Sequence, residues 1–262
     1  MKLPISAIIV GFNEEKLLKN CLSSIQFCDE ILYFDLGSSD NSVAVAEEFG
    51  AKTIYHEKVL SCEWIHAEFA HKTKNDWVLI CDPDEVLDQI LQNEIKDLFN
   101  NNLLTHDIGS VTVPWLFYFK KLRLKGTPWG GVNQRILLVN NNRFKFSPFI
   151  HVGRRLLDGY KNYNISFNNT NGIRHYWMQS YTKLFEKHLR YLKNEGEARH
   201  KIGHSTNLKT ILLHPLRAFR SSFIIKKGYK DGVIGFFLSL FWAWYDTYAL
   251  IMLYKYQNNS RL

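Results

Sequence analysis

The stretch Trp77-Val-Leu-Ile-Cys-Asp82-Pro83-Asp84-Glu85 passes from a short apolar segment directly into three carboxylates. A brief apolar run bounded by a turn predicts a buried strand, so the carboxylates would lie at the carboxyl end of that strand. Carboxylates this close together repel one another unless a cation lies among them, and hard oxygen ligands suit Mg²⁺ or Mn²⁺. The stretch therefore predicts a site for a divalent metal and a diphosphate.

The first hundred residues alternate between strand and helix patterns. Apolar, β-branched runs at Ile5 to Val10, Glu30 to Asp35 and Ala51 to His56 precede the acidic stretch, and helical patterns separate them. This alternation predicts a parallel sheet with helices on both faces, and ligands at the carboxyl ends of its strands. Asp35 and Asp82 both fall at such ends.

Composition narrows the class of protein. A chain of 262 residues with 46% apolar residues is expected to fold as one α/β domain, with or without a C-terminal extension. The net charge of +8 favours anionic partners. The four cysteines lack the paired spacing of zinc sites, so we expect free thiols. The N-terminus shows no cleavable signal pattern, which predicts that the catalytic part stays in the cytoplasm.

A basic, glycine-rich segment runs from Lys120 to Gly131 and ends in Pro128-Trp129-Gly130-Gly131. Glycines give a loop conformational freedom, and a tryptophan offers a flat apolar platform. Loops with these properties often close over substrates. We therefore expect a mobile loop in which Trp129 contacts the substrate.

The C-terminal part of the chain has a different character. Leu212 to Lys230 mixes basic with apolar residues, and Val233 to Tyr254 is a long apolar, aromatic segment that contains Asp246. A segment of about 20 residues nearly spans a bilayer, but the internal Asp argues against a full crossing. We expect attachment at the membrane surface, with lysines at the headgroups. The alternative is a helix packed on the protein's own core.

Three motifs occur in order over the first ninety residues: Ile8-Ile-Val-Gly-Phe-Asn-Glu-Glu15, Phe34-Asp-Leu-Gly-Ser-Ser-Asp-Asn41 and Asp76-Trp-Val-Leu-Ile-Cys-Asp-Pro-Asp-Glu85. Together they resemble the family 2 glycosyltransferases of GT-A fold, and more narrowly the bacterial branch that adds sugars to the lipopolysaccharide core. The resemblance implies an α/β fold with a mostly parallel sheet flanked by helices. It would cover residues 1–180, with the nucleotide-sugar half at about 1–100 and the acceptor half at about 101–180. Residues 181–262 would form a helical, membrane-associating extension.

The resemblance also implies which residues bind the donor. The nucleotide-sugar positions of the family correspond here to Val10, Phe12, Glu14, Asp35 and Asp82. Asp84 would hold a divalent metal, Mg²⁺ or Mn²⁺, which stabilises the negative charge on the leaving nucleoside diphosphate. Gly11 is expected to open the strand end for a flat ring. Leu36 replaces a residue that is often polar in the family, which leaves the base of the nucleotide open.

The sequence motifs define the residues that would bind the acceptor less closely than those that would bind the donor. An inverting transfer needs a base for the acceptor hydroxyl, but Val152 stands where related enzymes commonly have a carboxylate after the residue that matches His151. Asp158, His151 and Glu85 are the candidates for this base. By the same resemblance Gln134 and Arg135 follow the loop, and Arg135 could pair with phosphate or with acidic groups of the acceptor. A surface salt bridge is its alternative role.

These features predict an inverting glycosyltransferase that moves a sugar from a nucleotide-diphospho-sugar to a lipid-linked saccharide, peripheral on the inner face of the cytoplasmic membrane. One alternative is transfer to a polyprenyl phosphate, which needs no separate base because the acceptor is already anionic. A second is a non-catalytic nucleotide-binding or membrane scaffold protein. A dehydrogenase is disfavoured because the first loop lacks a Gly-x-Gly-x-x-Gly run. Nucleic-acid binding would explain the charge but not the carboxylate cluster.

Overall fold

The computed structural model describes residues 2–59, 61–147 and 154–259. The strands are β1 Leu3–Gly11, β2 Cys28–Asp35, β3 Lys52–Tyr55, β4 Trp77–Ile80, β5 Glu85–Leu87, β6 Ile108–Phe119, β7 Leu122–Arg123, β8 Asn133–Asn140, β9 Phe144–Phe146, β10 Arg154–Leu156, β11 Lys161–Asn164 and β12 Ile173–Met178. The helices are α1 Glu15–Ser24, α2 Ser42–Glu48, α3 Cys62–Phe69, α4 Gln89–Asn100, α5 Tyr181–Lys201, α6 Leu208–Arg220 and α7 Gly232–Asn259. Short 3₁₀ or π segments occupy Ala70–Lys72, Ser221–Ile225 and Gly228–Asp231.

The main sheet begins with four parallel strands in the order β3, β2, β1, β4. Helices connect these strands, so the predicted α/β alternation and the fold class are confirmed. Beyond β4 the sheet becomes mixed, because β8 runs antiparallel to both β4 and β6. Further along the same sheet, β12 pairs antiparallel with the short strand β5, which directly follows the acidic turn.

The chain divides into two compact units. The first comprises Met1–Trp115 and Asn133–His175, and the second comprises Leu116–Val132 and Tyr176–Leu262. The first therefore carries the parallel strands and the acidic turn, and the second carries α5, α6 and α7. The division assigns Leu116–Val132 to the helical unit, whereas the sequence analysis assigned this segment to the acceptor half.

The sequence of strand β1 is nearly continuously apolar because both faces of the strand are buried. Ile5, Ala7 and Ile9 pack in one buried cluster with α1, while Ile8 faces a second cluster that contains Ile65 of α3. A parallel strand covered on both faces needs apolar residues at successive positions rather than at alternate ones. The four cysteines are free thiols, three of them buried, as predicted.

In the helical unit, α7 supplies much of the core. Its buried residues include Leu238, Phe241 and Tyr245, which pack with residues of α5 such as Leu184. Asp246 lies within this apolar helix and accepts hydrogen bonds from Arg199 of α5 at 2.8 Å and from His214 of α6 at 2.7 Å. The carboxylate that the sequence placed inside an apolar segment therefore links three helices.

The segment from Lys120 to Gly131 is hydrogen-bonded to the turn before α7, and its closure over a substrate stays a prediction. The carboxylate of Asp231 accepts hydrogen bonds from the backbone N–H groups of Lys125 and Gly126, at 2.7 and 2.8 Å. A Cβ atom on Gly126 would lie 2.1 Å from the carbonyl oxygen of Lys227. Glycine is required at position 126 because the backbone of a neighbouring turn occupies the space of a side chain.

The role of Asp246 can be measured. Asp246→Ala removes the partner of Arg199, whose side chain is only 18% exposed, and we expect a loss of about 1–3 kcal/mol in the free energy of unfolding. Glu197→Ala, which breaks an exposed ion pair with Lys201 on α5, should change it by less than about 0.5 kcal/mol. Denaturant titration of both variants makes the comparison, and equal losses would contradict the assigned role.

Candidate functional site

The carboxyl ends of three parallel strands lie side by side in the first unit. Gly11 at the end of β1 pairs in register with Asp35 at the end of β2, and Ile8 of β1 pairs with Ile80 of β4. Asp82 follows Ile80 by two residues. The two aspartates that the sequence placed at strand ends therefore emerge on either side of β1, at the edge where ligands bind in such sheets.

The loops that follow β1 and β2 are hydrogen-bonded to each other. The backbone N–H of Asn13 donates to the hydroxyl of Ser38 at 2.9 Å, and the side-chain oxygen of Asn13 accepts from the N–H of Ser39 at 2.8 Å. The N–H groups of Glu14 and Glu15 donate to side-chain oxygens of the second loop. This edge is a preorganised surface rather than two independent loops.

Asp35 shapes its own loop. Its carboxylate is buried and accepts hydrogen bonds from the backbone N–H groups of Gly37 and Ser38, at 3.1 to 3.2 Å. Asp35 thus holds the second loop in the position where it meets the first. A contact of Asp35 with the base or ribose remains a prediction, and it would have to share these oxygens.

Gly11 is needed for a different reason from the one expected. A Cβ atom at this position would lie 2.6 Å from the hydroxyl oxygen of Tyr33, whose ring fills the space above the glycine. The missing side chain therefore makes room for a tyrosine of the neighbouring strand, and an opening for a nucleotide ring at this strand end stays a prediction. Val10 is half-buried and Phe12 is 40% exposed at the same edge. The ammonium group of Lys58 lies 4.0 Å from the centre of the Phe12 ring.

The cation among the carboxylates of the acidic turn is a guanidinium. Arg135 of β8 contacts Asp82 at 2.9 Å and also forms an ion pair with Glu85. The antiparallel register pairs Leu79 with Leu138, and continuing it by three residues sets Asp82 opposite Arg135. The ion pairs with Arg135 thus involve Asp82 and Glu85, and Asp84 stays the residue predicted to hold a metal. The surface salt bridge considered for Arg135 is a buried one, because its side chain is only 11% exposed.

These contacts affect protonation. Burial opposes ionisation of Asp82, but the Arg135 guanidinium outweighs this effect and lowers the pKa of Asp82 below its ordinary value. For Glu85 the balance is reversed, since burial raises the pKa of this carboxyl to about 7 although Arg135 opposes the shift. Asp82 thus stays ionised at neutral pH.

Glu85 is a structural centre of the turn. Its side chain has no exposed surface, and it accepts hydrogen bonds from the indole N–H of Trp115 at 2.7 Å and from the backbone N–H of Asp82 at 2.9 Å. A general base must reach the acceptor hydroxyl. With both oxygens engaged inside the protein, Glu85 is placed to hold the turn, and a role as the base would require it to give up one of these contacts.

Asp84 approaches a histidine that the sequence analysis did not single out. Its Oδ2 atom lies 3.2 Å from Nε2 of His175. His175 is opposite Glu85 in the antiparallel pairing of β12 with β5, and its ring stacks on Trp115 with centroids 4.9 Å apart. In the sequence, His175 is marked only by its place in the strand-like run from Ile173 to Trp177. The pairing partner of that strand could not be read from the sequence.

The roles of the remaining predicted residues stay predictions. Trp129 belongs to the helical unit, where it stacks on Trp177 with centroids 4.5 Å apart. Gln134 is exposed on β8. The side chain of Asp158 is 96% exposed and lies 3.7 Å from Arg155. His151 lies outside the described residues.

The residues present fit a divalent ion under one condition. Within residues 2–59, 61–147 and 154–259, no group of three or more His, Cys, Asp or Glu side chains is arranged to hold a metal. Asp84 and His175 nevertheless approach each other through two atoms of metal-ligating type. Ions such as Mg²⁺ commonly take one or two protein ligands and complete their coordination with substrate phosphates. The pair therefore fits an ion whose remaining ligands come from a diphosphate.

The contribution of Arg135 can be tested by Arg135→Met, which leaves Asp82 and Glu85 adjacent without their guanidinium. We expect the free energy of unfolding to fall by about 3–5 kcal/mol, because a buried charge loses its partner. Arg155→Met is the matched control, since Arg155 is 70% exposed beside Asp158, and it should change stability by less than about 0.5 kcal/mol. Similar values for the two variants in denaturant titrations would refute the central role of Arg135.

Comparison with known proteins identifies the family. The family model "Glycosyl transferase family 2" matches residues 6–148, more than half of the chain. An uncharacterized glycosyltransferase of Rickettsia felis is 36% identical over 101 residues, which are 36% of this chain and 34% of that protein. The lipopolysaccharide core biosynthesis glycosyltransferase LpsC of Rhizobium meliloti is 30% identical over 102 residues, 37% of each chain. The chain thus spans only about a third of the length of these curated relatives.

Among solved structures, glucosyl-3-phosphoglycerate synthase from Mycobacterium tuberculosis, in complex with Mg²⁺ and uridine diphosphate, is 16% identical with a TM-score of 0.39. The alignment covers 61% of this chain and 68% of that one. The assignment depends instead on the family model, which includes all three sequence motifs and the acidic turn. The chain belongs to glycosyl transferase family 2 and has the GT-A fold expected of that family.

Proposed function

We propose that the protein transfers one sugar from a nucleotide-diphospho-sugar to a lipid-linked saccharide, with inversion at the anomeric carbon, in the assembly of a bacterial surface glycan. The observation that carries the proposal is the turn after β4, which offers the Asp84–His175 pair beside an ionised Asp82 at the carboxyl edge of the sheet. Membership of family 2 supports the reaction class. The similarity to LpsC supports the lipopolysaccharide pathway.

Each residue of the turn has a distinct task in this proposal. Asp84 and His175 would hold a divalent ion, which when bound supplies positive charge to the departing nucleoside diphosphate. Asp82, fixed by Arg135, would accept hydrogen bonds from hydroxyl groups of the ribose or the sugar. Glu85 and Trp115 hold the turn in place. Because this arrangement already exists in the folded chain, little reorganisation is needed when the donor binds.

Residues at the ends of β1 and β2 and in the loops that follow would bind the nucleotide. Phe12 presents an exposed ring suited to stacking on a nucleotide base, and Val10 would contribute an apolar wall. The Lys58 ammonium above the Phe12 ring would add positive charge near the phosphates. Glu14 and Asp35 would contact the ribose or the base from the two interlocked loops. A mixed carboxylate and imidazole pair favours Mn²⁺ over Mg²⁺, since Mg²⁺ prefers oxygen ligands.

Donor and metal binding can be separated in a thermal-shift experiment with UDP-, GDP- and ADP-sugars. We expect Mn²⁺ alone to shift the Tm little, because the diphosphate must complete the coordination. One donor together with Mn²⁺, at a hundredfold excess over its Kd, should raise the Tm by about 5–10 °C.

Two variants locate this effect. Asp84→Asn and His175→Ala should each abolish the Mn²⁺-dependent part of the shift, while Asp97→Asn and His106→Ala, which change exposed residues of the same types, should keep it. The proposal fails if no donor shifts the Tm with any divalent ion, or if the site variants behave like their controls.

The acceptor class can be tested through the base. For a saccharide acceptor, loss of the general base should reduce kcat by about a hundredfold or more. We therefore expect Asp158→Asn or His151→Ala to show this loss when products from a lipid-linked saccharide are measured by mass spectrometry. If both variants stay fully active and a polyprenyl phosphate is glycosylated instead, the alternative acceptor is correct. An anionic phosphate needs no proton removed.

A further inference from the structure

The apolar helix α7 has the length and composition of a membrane span but serves as a core helix. The segment Gly228–Asn259 passes a hydropathy test for a span, and 39% of its most apolar window is buried within the protein. Its inner side packs on α5 and α6, and Asp246 is held by Arg199 and His214. A helix that crossed the bilayer alone would have to give up these contacts.

Helix α6 carries three of the most exposed apolar side chains of the helical unit. Leu208, Leu212 and Leu216 follow one another at intervals of four and are 65%, 80% and 76% exposed. Residues four apart lie on the same side of a helix, so they form one stripe along α6. Ile224 and Ile225 continue the apolar surface after the helix, at 55% and 61% exposure.

Helix α7 turns a second apolar stripe outward. Its members are spaced three or four residues apart, and each is at least 38% exposed. They are Val233, Phe237, Leu240, Trp244 and Tyr248. Trp and Tyr side chains have an apolar body and a polar atom, which suits the boundary between lipid and water.

An apolar groove joins the two stripes. It has a volume of about 520 Å³ and lies between α6, which contributes Leu216 and Phe219, and α7, which contributes Leu240, Trp244 and Tyr248. Proteins that remain monomeric in water rarely expose continuous apolar surfaces of more than a few hundred Å². An apolar surface of this kind indicates a binding site for a membrane or for another protein.

The charges beside the groove indicate which partner. Between Leu208 and Lys230 the chain has no Asp or Glu but six basic residues, all of them exposed. They are Lys209, Arg217, Arg220, Lys226, Lys227 and Lys230. An exposed apolar stripe in a segment that carries basic but no acidic residues is complementary to an anionic bilayer, in which acyl chains lie beneath negative headgroups.

We propose that α6 is the membrane-binding element. It lies in the plane of an anionic bilayer, with Leu212 and Leu216 among the acyl chains, and the groove between α6 and α7 accommodates an acyl chain. Helix α7 stays with the protein and does not cross. The inference deepens the proposed function, on which it rests for its purpose, because a lipid-linked acceptor would be met in the same bilayer.

The test is flotation of the full-length protein with vesicles that contain no saccharide acceptor. We expect binding to phosphatidylcholine vesicles with about one-third phosphatidylglycerol, and at least about tenfold weaker binding to phosphatidylcholine alone. Leu212→Asp combined with Leu216→Asp should reduce binding to the anionic vesicles at least about tenfold without lowering the Tm, because both side chains already face solvent. Bound wild-type protein should be released by alkaline carbonate.

The control pair is Ile90→Asp with Leu103→Asp, two partly exposed apolar residues of the first unit, which should bind vesicles like the wild type. Unchanged binding by the α6 pair, equal binding to neutral vesicles, or resistance to carbonate would each overturn the inference. So would a dimer in solution that the α6 pair converts to monomer, since the surface would then serve a second copy. Donor-induced thermal shifts of the same variants show separately whether the proposed function stands.

Discussion

The guanidinium of Arg135 between Asp82 and Glu85 is the interaction on which the rest of the candidate site depends. Two acidic side chains of one short turn would repel each other in a poorly solvated place, and the arginine converts that repulsion into a fixed arrangement. Glu85 is then free to use its remaining hydrogen-bonding capacity on Trp115 and on the backbone of Asp82. Ion pairs and hydrogen bonds within the protein therefore hold the turn in this arrangement.

These ion pairs with Arg135 leave out Asp84, the residue that we propose for metal binding. Asp84 lies between its two ion-paired neighbours in sequence, yet it points to His175 and keeps 26% of its side chain exposed. An ion bound there would add to a site that is already neutralised around Asp82, so it need not offset the charge of the whole cluster. In the proposed site, Arg135 and Glu85 hold the turn, whereas Asp84 and His175 would bind the ion that contacts the diphosphate.

In the helical unit, two carboxylates also join separate elements of the chain. Asp246 joins α5, α6 and α7 through Arg199 and His214, and Asp231 binds two backbone N–H groups of the segment before β8. In both cases a carboxylate within an apolar region is fully engaged by donors of the protein itself. These contacts fix α7 as a core helix and leave α6 with its apolar stripe exposed.

The sequence by itself determined the α/β alternation, the parallel strands, the strand-end position of Asp35 and Asp82, and the family. These features depend on local periodicity and on short motifs, which neighbouring residues specify. Only the tertiary structure decided that Arg135 lies among the carboxylates, that His175 meets Asp84, that Tyr33 explains Gly11, and that Lys120 to Gly131 is anchored. Each of these contacts joins segments far apart in the chain. Strand register and helix packing bring these segments together, and a local sequence pattern does not specify which distant segment a residue will contact.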